Sequence, residues 1–104
     1  MKNMRMIAYK RLKVFYLSHS DAKEPLDDWY DKVRIAQFSN FSEIKKAFPS
    51  ADIVGKVIVF NIKGNRYRLI SAFHFDTQTV YILEVMTHAE YSKETWKRRY
   101  QIYP

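Results

Sequence analysis

The chain has 104 residues, 47% of them hydrophobic and 16% aromatic, against two glycines and three prolines; this fits one compact domain spanning 1–104 and argues against disorder. There is no cysteine, which excludes disulfides and thiolate metal sites, and no apolar run approaches the ~18 residues that span a bilayer. The net charge of +7 leaves two readings open, a polyanionic partner such as RNA or plain solubility.

The segment from Met1 to Tyr16 alternates basic and apolar residues without a clean apolar stretch or a cleavage site. It does not read as a signal peptide, and a cytoplasmic protein without membrane contact is expected. Within it, Met4 to Ala8 alternates and predicts a short first strand. Tyr9 to Ser18 sets Leu12, Phe15 and Tyr16 at helical spacing, with Lys10, Arg11 and Lys13 elsewhere on the wheel. Ser20 or Asp21 is placed to cap a second helix, and Pro25 is tolerated near its first turn. That helix carries Leu26, Trp29, Tyr30 and Val33 at i, i+3, i+4, i+7, an amphipathic face. Asn40 followed by Glu43 resembles a capping box for a third helix, Phe41 to Ala47, stopped by Pro49.

The texture then changes to short apolar runs separated by turns. Val57 to Phe60 predicts a strand, Lys63-Gly64-Asn65 a turn, Tyr67 to Phe75 a second strand, Asp76-Thr77-Gln78 a turn, and Thr79 to Met86 a third strand, together an antiparallel meander. From His88 to Tyr100 the chain is polar, with Tyr91 and Trp96, and predicts a short helix and tail. The order implies an α+β fold, with an antiparallel sheet of about four strands, two to three helices packed on one face, and the other face or its rim open to a large ligand. Charge follows position. Residues 1–20 hold five Lys/Arg and no Asp/Glu, residues 21–52 five basic and seven acidic, and residues 53–104 eight basic and four acidic, so two basic ends bracket an acidic middle.

Two stretches are more specific than periodicity. Phe60 to Ile70 (FNIKGNRYRLI) and Thr87 to Lys93 (THAEYSK), with weaker support from Phe48 to Asp52 and from Asp28-Trp29-Tyr30, resemble the HigB-type toxins of type II toxin–antitoxin systems, a branch of the RelE-like superfamily. The resemblance runs from about Met6 to Lys93. It implies a RelE-like microbial ribonuclease fold and cleavage of messenger RNA in the ribosomal A site. It also implies a HigA-like helix-turn-helix antitoxin as partner, with operator DNA reached only through that antitoxin.

The chemistry can be framed independently. Metal-free RNA cleavage uses the RNA's own 2′-OH and needs a base, a cation for the phosphorane-like transition state, and an acid for the leaving 5′-oxygen. The histidines at 19, 74 and 88 lie far apart without ligand spacing, so no metal site and no cofactor is expected. Arg68 is the leading candidate for transition-state stabilisation, since a guanidinium fork suits phosphate oxygens and Tyr67-Arg68-Leu69 matches the RelE-like context. Its plainer reading is a structural ion pair. Period-two alternation puts Arg66 on the same face as Arg68 and Tyr67 on the other.

His88 is the acid–base candidate. Thr87 is placed to cap the last helix and set His88 in its first turn, where the positive helix end favours a base over an acid. Tyr91 is a candidate for stacking on a base or orienting the 2′-OH, or else it anchors the terminal helix. Glu90 reads as a helix N-terminal charge. Arg66, Lys63, Lys56, Lys93 and Asn61 are candidate RNA or phosphate contacts, each with a solvated or turn role as the alternative, while Asn65 reads as a turn residue and His74 as structural.

RelE itself places proton-transfer lysines on the neighbouring strand. Val57 to Phe60 has none, which leaves the general base open. The basic ends (Lys2, Arg5, Lys10, Arg11, Lys13 and Lys97, Arg98, Arg99) suit ribosomal RNA or an acidic antitoxin surface. Two further functions stay in view, a ribosome-independent ribonuclease and a non-catalytic module that binds only antitoxin or nucleic acid.

Overall fold

A computed structural model describes residues 3–100. The elements are β1 (Arg5–Ile7), α1 (Lys10–Ser18), a 3-10 turn (Ser20–Ala22), α2 (Lys23–Ala36), α3 (Phe41–Ala47), β2 (Asp52–Val54), β3 (Val57–Ile62), β4 (Tyr67–His74), β5 (Thr79–Thr87), α4 (His88–Ser92) and a 3-10 segment (Thr95–Tyr100). The α+β architecture and the meander agree with the sequence reading. The sheet, however, has five strands in the order β1-β5-β4-β3-β2, and β1 runs parallel to β5. The additional strand is β2, three residues long and paired antiparallel to β3 through the two-residue turn Gly55-Lys56. A strand that short carries too few positions for alternation to stand out. Gly55 adopts φ 62, which glycine reaches without the Cβ penalty.

The helices cover one face. Leu12, Leu26, Trp29, Val33 and Ile44 meet Ile58, Phe60, Ile62, Leu69, Val80 and Ile82 in one apolar cluster. Trp29 and Phe48 both pack edge-on to Phe60, with ring centroids 5.2 Å away in each case. Asn40 caps α3 as expected, its side chain accepting from the Glu43 main-chain N–H at 3.0 Å, but the Glu43 carboxylate reaches back one residue further, to the Ser39 N–H at 2.7 Å. Neither Ser20 nor Asp21 caps α2. Its first position follows Ala22 without any side-chain cap, because the Asp21 carboxylate is drawn to the sheet.

The opposite face is not left open. Val57, Val59, Ile70 and Met86 form a second cluster under Trp96, which is 1% exposed. Trp96 stacks on Tyr91 with centroids 5.1 Å apart and donates its indole N–H to the Tyr91 carbonyl at 3.0 Å. The C-terminal segment lies across this face because an apolar patch of four strand side chains is more stable under an indole than in water. What stays accessible is the rim, where the β3–β4 turn meets the start of α4.

Candidate functional site

Pairing register builds the site. Arg68 on β4 lies opposite Asn61 on β3 and Met86 on β5, and Tyr67 lies opposite Thr87. α4 begins at the next residue, and the His88 main-chain N–H donates to the Arg66 carbonyl at 2.9 Å. Arg68, Asn61, His88 and the β3–β4 turn therefore share one end of the sheet.

Arg68 is 9% exposed. Nη1 donates to the Asn65 and Tyr67 carbonyls at 3.1 and 3.2 Å, and Nη2 donates to the Asn65 side-chain oxygen. The Tyr91 ring lies against it, 5.2 Å from the guanidinium carbon to the centroid. Among the described residues no ion pair includes Arg68. Carbonyl dipoles and a ring face orient the charge without cancelling it. The structural ion-pair reading of Arg68 is thus not what the structure contains.

Arg66 behaves differently, and the expectation that it shares a face with Arg68 is corrected. It sits in the turn before β4, where period-two alternation no longer applies, and its Nη1 donates to Asp21 Oδ2 at 2.8 Å. Tyr67 donates its hydroxyl to Asp21 Oδ1 at 2.5 Å, and Lys63 Nζ lies 3.5 Å from Oδ2. These donors, the Tyr67 hydroxyl first, hold the Asp21 carboxyl down to about 2. The same hydrogen bond pushes the Tyr67 phenol up. Asp21 therefore ties the 3-10 turn after α1 to the β3–β4 turn.

α4 presents His88, half-buried, as its first residue. Thr87 and Glu90 form a full capping box: the Glu90 N–H donates to Thr87 Oγ1 at 3.2 Å, and the Glu90 carboxylate accepts from the Thr87 N–H at 2.9 Å. That Thr87 N–H is the main reason the Glu90 carboxyl is held below its ordinary range, so Glu90 is an ionised cap, as its sequence position suggested. Tyr91 is shifted upward by burial first and by the nearby Asp52 carboxylate second, which keeps its hydroxyl protonated.

The remaining candidates separate by position. Lys63 and Asn61 are at the site, though Lys63 leans toward Asp21. Lys56, in the turn at the opposite end of β3, lies five residues from Asn61, about 16 Å at the rise of an extended strand, and is not brought to the site. Lys93 follows α4 and lines a cavity of about 270 Å³ with Glu84, Met86, Glu90, Trp96 and Arg99. Of the C-terminal cations, Lys97 pairs with Glu94 at 2.8 Å and Arg99 with Glu84 at 2.6 Å, while Arg98 is exposed. Lys2 lies outside the described residues. His74 is exposed at the far end of β4, edge-on to Tyr81 at 5.1 Å, and is not brought to the site. Among the described residues there is no cluster of three or more His, Asp or Glu able to hold a metal, and no helix long and apolar enough to cross a membrane.

Two residues matter more than the sequence reading assigned. Asn65 was expected to serve the turn, yet its carbonyl and its side chain both hold Arg68. The spacing Asn-x-x-Arg across a turn into a strand is the signal that was available. Asp21 carried no such signal, since its partners are 42 to 46 positions away in sequence.

A family model described as HigB_toxin, RelE-like toxic component of a toxin-antitoxin system, matches residues 22–94. The chain is 34% identical over 91 residues to the mRNA interferase toxin HigB of Escherichia coli (strain K12), covering 85% of this chain and 88% of that protein. The same identity and coverage hold for the mRNA interferase HigB of Escherichia coli O157:H7 and that of Shigella flexneri.

Proposed function

Because the chain belongs to the HigB family of RelE-like toxins, components of toxin–antitoxin systems, we propose that it is an endoribonuclease that cuts messenger RNA in the ribosomal A site and so inhibits translation. The observation that carries this reading is Arg68: buried, its guanidinium oriented by Asn65 and Tyr91, and in no ion pair among the described residues. A buried cation lacking an internal counter-charge is suited to an anionic ligand, and a phosphate oxygen fits its fork.

In the proposed reaction the RNA's own 2′-oxygen attacks the adjacent phosphorus, and the bond from phosphorus to the 5′-oxygen breaks. The 2′-OH proton passes to a base and the leaving 5′-oxygen takes a proton from an acid. Arg68 stabilises the charge that grows on the non-bridging oxygens. His88, at the start of α4 and across from Arg66, takes one of the two proton-transfer roles. Tyr91, kept protonated by burial, donates a hydrogen bond to the RNA and fixes Arg68 from the other side. Arg66, Lys63 and Asn61 bind flanking phosphates. No metal or cofactor takes part in this scheme.

The partner is a HigA-like helix-turn-helix antitoxin that neutralises the toxin in the cytoplasm and carries it to operator DNA. The net charge of +7 supports contact with ribosomal RNA through diffuse phosphate neutralisation. The test is induction of the chain in growing cells with transcript ends mapped by primer extension. Cuts inside coding regions that vanish when translation is blocked support the reading. Cleavage of naked RNA by the purified protein would favour a ribosome-independent ribonuclease. Undiminished growth arrest by a folded Arg68→Ala variant would favour a non-catalytic module.

A further inference from the structure

Helix α1 buries Leu12 and packs Phe15 and Tyr16 onto the core. On its outer side it presents Lys10, Val14 and Leu17 at i, i+4, i+7, flanked by Arg11 and Lys13. Val14 is 59% exposed and Leu17 72%. Beside this strip runs a groove of about 540 Å³ between α1 and β5, lined by Ala8, Lys10, Arg11, Val14, Phe15 and Leu83 among others.

The β5 edge is open there. β1 pairs only with Thr79–Tyr81, and past that point the Leu83 carbonyl is met by Arg11 Nη1 at 3.1 Å. The one acid lining the groove, Glu84, is tied to Arg99, and no ion pair among the described residues involves α1.

The strip thus combines uncompensated cations with bare aliphatic carbons. A nucleic-acid backbone would satisfy the cations and leave Val14 and Leu17 in water. A protein segment with carboxylates flanking aliphatic side chains satisfies both, since opposite charge steers the encounter and apolar contact holds it. We propose that the α1–β5 groove is the docking surface for the antitoxin, through a segment of that composition. This rests on the reading of the chain as the toxic component of its pair. The groove lining includes none of Arg68, His88 or Tyr91, so docking can be measured separately from catalysis.

The test titrates the full chain with its cognate antitoxin by calorimetry. Val14→Asp/Leu17→Asp should leave the melting temperature and growth arrest unchanged, weaken antitoxin binding by at least about tenfold, and abolish rescue by the antitoxin. Lys10→Glu/Lys13→Glu, read only in the titration, should weaken binding and flatten its salt dependence. Binding within about twofold of the unsubstituted chain for both double variants overturns the proposal. So does a folded Val14→Asp/Leu17→Asp protein that keeps its antitoxin affinity but no longer arrests growth, which would assign the strip to the ribosome. Failure of the catalytic reading would appear instead as intact transcripts with the unsubstituted chain, leaving the titration unaffected.

Discussion

The end of the β3–β4 hairpin holds two cationic groups of similar composition in opposite electrostatic states. On one side, Arg66 and Lys63 meet the Asp21 carboxylate, which also accepts the Tyr67 hydroxyl. On the other, Arg68 meets only carbonyls, the Asn65 side chain and the Tyr91 ring. The first group has its counter-charge built in and joins two parts of the fold. The second is oriented but uncompensated, which is the state in which a guanidinium is available to a phosphate. Residue type and sequence proximity do not separate the two; the presence of one carboxylate does.

The comparison is most exposed at Arg68. Arg68→Ala should slow single-turnover cleavage on programmed ribosomes by about 10²–10³-fold, the usual loss for a transition-state donor, with the fold retained. Arg68→Lys should recover little, because an ammonium lacks the fork. Arg66→Ala should cost less than about tenfold and act mainly on KM. Equal losses at the two arginines would erase the distinction.

His88 comes next. His88→Ala should reduce cleavage by about 10²-fold, the lower end for a general acid or base, and remove one limb of the pH–rate profile. A profile that keeps both limbs would assign the proton transfers elsewhere.

A smaller effect is expected where α4 is held. Thr87→Ala removes one half of the capping box and should destabilise the protein by ~1 kcal/mol in urea unfolding. Cleavage should fall alongside, because the cap fixes the helix that carries His88. Unchanged cleavage in a destabilised protein would separate the cap from the site.

The smallest effect at neutral pH, and a specific one in acid, concerns Asp21. Its carboxyl is lowered from the ordinary 3.8 to about 2 by the Tyr67 hydroxyl and then by Arg66 and Lys63. The stabilisation is therefore complete above the unfolded value and is lost as pH falls from about 4 to about 2. Circular dichroism should show the unsubstituted chain losing stability across that window and Asp21→Asn showing a flatter profile. Superimposable acid curves would mean the carboxylate contributes nothing to holding the two turns together.

Much of the fold is legible in the sequence. Leu26, Trp29 and Val33 marked the buried face of α2, Asn40 the cap of α3, and the turns Lys63-Gly64-Asn65 and Asp76-Thr77-Gln78 the meander, because each signal is local. Thr87 was legible as the cap that starts α4 at His88 for the same reason. β2 was not, being three residues long, nor was the parallel pairing of β1 with β5, which joins residues more than 70 positions apart. Trp96 looked like part of a polar tail, since an isolated indole carries no period to say what it covers.

By itself the sequence determined the family resemblance, the α+β layering, and the placing of Arg68 on a strand with His88 just past the next one. The layering and the placing follow from patterns that repeat within one element, where spacing alone decides which side chains share a face, whereas the resemblance rests on two ordered stretches, Phe60 to Ile70 and Thr87 to Lys93. Only the tertiary structure decided that Asp21 captures Arg66 and Lys63 but not Arg68, that Asn65 and Tyr91 hold Arg68, and that Trp96 closes the second face. Each is a contact between distant segments, and electrostatic state depends on which charges meet in space, a quantity no local spacing contains.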